Sequence, residues 1–66
     1  MITINEIKER VRHIELNTHD NEACHSAEDS LYYSVIEAIA SGVDNPEELA
    51  QEALRTKHID FGRWCG

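Results

Sequence analysis

The segment "SGVDNPEE", residues 41–48, ends one helix and begins another, and constrains the fold more than any other stretch of the chain. Gly42 can take the left-handed conformation that closes a helix C-terminus at little cost, with Val43 placed to make the accompanying apolar contact. Asn45 then suits an N-cap, and Pro46 suits the first helical position, where an amide would have no partner anyway. Glu48 stands at the third position, where acidic residues complete a capping pair.

Helical periodicity surrounds this junction. Residues 22–40 form the longest predicted helix, in which Cys24, Ala27, Leu31, Val35, Ala38 and Ile39 share a face at about 100° per residue. Tyr32 and Ile36 flank that face and widen it. Residues 46–56 form the next helix, with Leu49, Ala50, Ala53 and Leu54 as its buried stripe. An earlier helix is predicted over residues 4–16. Thr3 and Glu6 match a capping box, and Ile4, Ile7, Val11 and Ile14 recur at three- and four-residue steps. Its outer face carries Glu6, Glu9 and His13, and "NTHDN" breaks the pattern as a loop.

The closing "HIDFGRWCG" is too short to fold alone but rich in large apolar side chains. Asp60 is expected to cap a terminal helical turn, with Ile59 against Trp64 across it. A chain of 66 residues has too little core to leave both Phe61 and Trp64 in water, so the tail is expected to close the open end of the core. The expected fold class is all-α, a compact three-helix domain with a packed C-terminal helical turn, residues 1–66 being a single domain.

Charge is unevenly distributed. The formal net charge is -7, and no lysine or arginine occurs between Arg12 and Arg55, while ten carboxylates do. Such a field opposes nucleic acid phosphates and anionic membranes and favours a basic protein surface. No apolar run is long enough for a signal peptide or a membrane span, so the expected location is cytoplasmic, with no membrane partner. Cys24 and Cys65 are too few for a disulfide scaffold and lack C-x-x-C spacing, which favours thiols over a bridge.

The stretch "HDNEACHSAED", from His19 through Asp29, concentrates groups that could do chemistry. Glu22, His25 and Asp29 recur at three- and four-residue steps, a spacing that suits zinc, iron or manganese. A complete bundle metal site needs a second such element and further carboxylates from facing helices, so no metal and no cofactor are expected. The plainer reading places Asp20 and Glu22 at a helix N-terminus, worth roughly 0.3–1 kcal/mol each, and pairs His25 with Asp29 on the surface. Glu28 falls inside the apolar stripe and needs an internal partner, with Arg10, Arg12 and Arg63 as candidates, a raised pKa, or an opening to water.

Catalysis finds little support. Adjacent helix residues point about 100° apart, so Cys24 and His25 are no dyad, and Cys24 lies on the apolar face as a small hydrophobe. Ser26, Ser30 and Ser34 share a face without a base aimed at them, and no glycine-rich phosphate loop exists. A helix-turn-helix reading would make the third helix the DNA reader, but Glu47, Glu48 and Glu52 would face phosphate.

With "HDNEACHSAED", "LYYSVIEAIASG" and "IDFGRWCG", the chain resembles small accessory proteins of bacteriophage and prophage genomes over residues 20–66. Gly62 departs from that pattern, since alanine is expected after the phenylalanine, and it weakens helical propensity there. The resemblance implies a mobile-element origin and carries no activity or functional residue. The expected function is therefore that of a non-enzymatic, acidic accessory or regulatory protein acting through a protein partner or as a homodimer. Tyr32, Tyr33 and Ile36 at the edge of the apolar arc are candidate contact residues, as are Glu47, Glu48 and Glu52. The alternatives are a small DNA-binding regulator and a metal-binding helical protein.

Overall fold

A computed structural model describes residues 1–62. Three helices are formed, α1 (Ile4–Glu15), α2 (Asn21–Ala40) and α3 (Pro46–Ala53), and a 3-10 turn (Leu54–His58) continues directly from α3. No strand occurs among the described residues.

The helix ends follow local chemistry. The Thr3 hydroxyl accepts from the Glu6 amide at 3.2 Å, capping α1. The Asp20 carboxylate accepts from the Ala23 amide at 3.0 Å, which starts α2 one residue before the apolar pattern indicates. At the far end of α2, Gly42 adopts φ +85°, donates to the Ile39 carbonyl at 3.0 Å and lets the Val43 amide reach the Ala38 carbonyl at 3.4 Å. These two bonds satisfy carbonyls that the helix leaves over, and Val43 packs on the core as the motif requires. Asn45 behaves differently from its expected role. Its side chain makes no cap bond and instead donates from Nδ2 to Glu48 Oε1 at 2.9 Å, because the carboxylate at the third position takes up the amide as a donor.

The core has two parts. Ile7 and Val11 of α1, Leu31, Val35 and Ala38 of α2, and Leu49 and Ala53 of α3 form the main cluster. Ile14, Cys24 and Phe61 form a second cluster at the other end of α2. Burying each large aliphatic side chain contributes roughly 1.5–3 kcal/mol. Phe61 thus closes one end of the core, and the Gly62 amide is held by Asn21 Oδ1 at 3.0 Å. The helical turn precedes Asp60 and does not follow it among the described residues, since Asp60, Phe61 and Gly62 are irregular. The expected Ile59–Trp64 contact and the Arg63 and Cys65 side chains lie outside the described residues.

Two stripe residues are not where the periodicity puts them. Ile39 is 41% exposed and Leu54 is 49% exposed. The chain tightens to 3-10 geometry at Leu54, and Thr56 takes the inward position that follows Leu49 and Ala53, fully buried. Ile39 lines the open groove between α2 and α3.

Candidate functional site

Between α2 and α3 runs a shallow groove of about 240 Å³ whose walls are apolar almost throughout. Tyr32, Val35, Ile36 and Ile39 supply the α2 side, and Ala50, Ala53 and Leu54 supply the other. Three- and four-residue spacing aligns the first set, while two alanines keep the floor low. Ile36 is 66% exposed, and Tyr33, one turn before Glu37 on the adjoining edge of α2, is 67% exposed. Of the contact residues expected from sequence, Tyr32 and Ile36 meet in this groove, and Tyr33 is exposed outside its lining.

Tyr32 has a second role that periodicity does not reveal. Its ring lines the groove, but its hydroxyl turns inward, 2.5 Å from Thr56 Oγ1 and 3.5 Å from Glu28 Oε2. Thr56 in turn donates to the Ala53 carbonyl at 3.2 Å. Glu28 is buried as its angular position requires, at 6% exposure, and a hydroxyl four residues along the same helix reaches it. The arginines considered as its partners go elsewhere or lie beyond the described residues. Arg10 donates to Ser30 Oγ at 3.0 Å and Ser34 Oγ at 3.4 Å, tying α1 to α2, and Arg12 is exposed. Arg63 is not among the described residues. Two members of the serine face noted in the sequence, Ser30 and Ser34, are therefore a bracket for Arg10.

The acidic residues of α3 divide. Glu47 and Glu48 are exposed and border an open hollow of about 500 Å³ at the start of the helix. Glu52 does not join them. Its side chain is 16% exposed and accepts from Arg55 Nη1 at 2.5 Å. That hydrogen bond, then the charge of Glu52 and more weakly that of Glu15, raise the Arg55 pKa above its ordinary value. Glu52 is thus an ion-pair partner rather than part of the open acidic surface.

His25 Nε2 lies 3.7 Å from Asp29 Oδ2, both side chains open to water, and Glu22 is exposed. Among the described residues no group of three or more histidine, cysteine or acidic side chains is placed to hold a metal ion. Cys24 turns inward, its thiol donating to the Asn17 carbonyl at 3.0 Å and the Ile14 carbonyl at 3.6 Å, away from the His25–Asp29 pair. Among the described residues no helix is long and apolar enough to cross a membrane. Comparison of the chain with protein-family models, with curated proteins and with solved structures finds no match.

Proposed function

We propose that the protein is a non-enzymatic, acidic accessory or regulatory protein of the cytoplasm that works by binding protein, with the α2–α3 groove as its contact surface. The observation that carries this reading is the grouping of Ile36, Ile39 and Leu54, all more than 40% exposed, along one apolar groove. Single exposed apolar residues are ordinary, whereas a contiguous set framed by polar residues marks an interaction site. The uninterrupted acidic tract argues against phosphate as the target. The resemblance to phage accessory proteins agrees with such a role and adds no activity.

A photo-cross-linking residue placed at Ile36, in the cells that make the protein, should trap protein adducts, and one at Glu9 on the outer face of α1 should trap none. Adducts at neither position, or equally at both, reject the groove as the contact surface.

A further inference from the structure

We propose, building on that reading, that the groove receives an amphipathic α-helix of a different protein, with large apolar side chains at i, i+3 or i+4 and i+7 flanked by lysine or arginine. The first support is shape. At about 240 Å³ the groove falls below the usual small-molecule pocket, roughly 300–1,000 Å³, and suits one or two apolar anchors of a protein ligand instead. Its walls are two helices, and no strand edge is present among the described residues, so the ligand gains nothing from an extended backbone. A helix laid along the groove would set its anchors over Ala50 and Ala53, between Ile36 and Leu54.

The second support is charge. The two helices that build the groove carry Glu22, Asp29, Glu37, Glu47 and Glu48 as exposed carboxylates and no lysine or arginine; Arg55 and Lys57 follow on the 3-10 turn, where Glu52 pairs with Arg55. Asp29 lies three and four residues before Tyr32 and Tyr33, and Glu47 lies three residues before Ala50, which puts a carboxylate near each end of the apolar surface. Basic flanks on the incoming helix would meet these and speed encounter.

The third support is that none of the described helices is free to play that part for a second copy. The helix that carries lysine and arginine is α1, but Ile7, Val11 and Ile14, its apolar stripe, are buried in the core, and Arg10 is held by Ser30 and Ser34. Two grooves placed face to face would oppose acid to acid.

The test uses fluorescence anisotropy of three labelled synthetic helices titrated with the full chain. One carries a leucine stripe flanked by lysine, one the same stripe flanked by glutamate, and one the lysine composition in scrambled order. The lysine-flanked stripe should bind at least tenfold more tightly than either of the others. Ile36→Glu should weaken it at least tenfold although the substitution adds negative charge, and Leu16→Glu, at an exposed apolar residue off the groove, should not. Leu54→Glu on the opposite wall repeats the test should Ile36→Glu fail to fold by circular dichroism. Equal binding of the scrambled or glutamate-flanked helix overturns the proposal. So does a concentration-dependent dimer that Ile36→Glu abolishes, which would give the groove to a second copy. Either result, together with cross-links at Ile36, leaves the protein-binding reading standing while removing the basic helix as its ligand.

Discussion

Both α1 and α2 carry apolar residues at three- and four-residue steps, but they end with different surfaces. In α1 the stripe of Ile7, Val11 and Ile14 is fully covered, and Glu6, Glu9 and His13 face water. In α2 the inner residues Leu31, Val35 and Ala38 are covered, while Ile39 at the margin of that face, and Ile36 and Tyr33 beyond it, are not. The cause is length as well as pattern. α2 has 20 residues, about 30 Å, and α3 has eight, about 12 Å, with alanines along its contact. A short, small-residue neighbour hides only part of a long, broadly apolar helix. Periodicity shows that a helix is packed; how much of its arc is covered depends on the elements laid against it.

The contrast breaks most directly at two positions of one helix. Leu31→Ala should cost about 2–5 kcal/mol, a large share of the stability of a domain this small, and Ile36→Ala should stay within about 0.5 kcal/mol. Urea unfolding followed by circular dichroism measures both, and comparable losses would mean that the outer side of α2 is covered after all. A smaller effect sharpens how Tyr32 bridges the two sides. Thr56→Val should destabilise by about 1–3 kcal/mol, and a double-mutant cycle with Tyr32→Phe should show at least about 0.5 kcal/mol of coupling. Additive losses would show that the two hydroxyls act independently. The smallest effect compares the starts of α2 and α3. Asp20→Ala should cost about 1 kcal/mol and Asn45→Ala only about a few tenths, because only the Asp20 side chain accepts a backbone amide. Equal losses in the same unfolding experiment would assign Asn45 a capping role.

The elements were legible because their ends are coded locally. Thr3, Asp20, Gly42 and Pro46 each act through neighbours no more than five residues away. The inward faces of α1 and α2 were legible for the same reason, apart from Ile39. Leu54 was not, because at 100° per residue it stands about 140° from Leu49, at the margin of the buried face rather than on it. Thr56 shows the opposite failure. A polar residue does not register as core, although Leu49, Ala53 and Thr56 keep a four- and three-residue step that could have exposed it. The burial of Glu28 follows from its angular position, and Tyr32, four residues on, is a partner within direct reach on a helix; Arg63, the third arginine considered, lies outside the described residues. Neither Ile36 nor Leu54 could be assigned to a groove without knowing how far α3 extends along α2.

The turn at Gly42 joins α2 to α3 so closely that every wall of the groove comes from residues 32–54, whereas burying Phe61 against Ile14 spans most of the chain. Loop closure over the shorter span costs less entropy, which favours forming the hairpin ahead of the longer-range closure. During synthesis that apolar cleft would emerge before Phe61 has left the ribosome. Its acidic borders would then shield a nascent chain from its equally acidic siblings while it remains only half assembled.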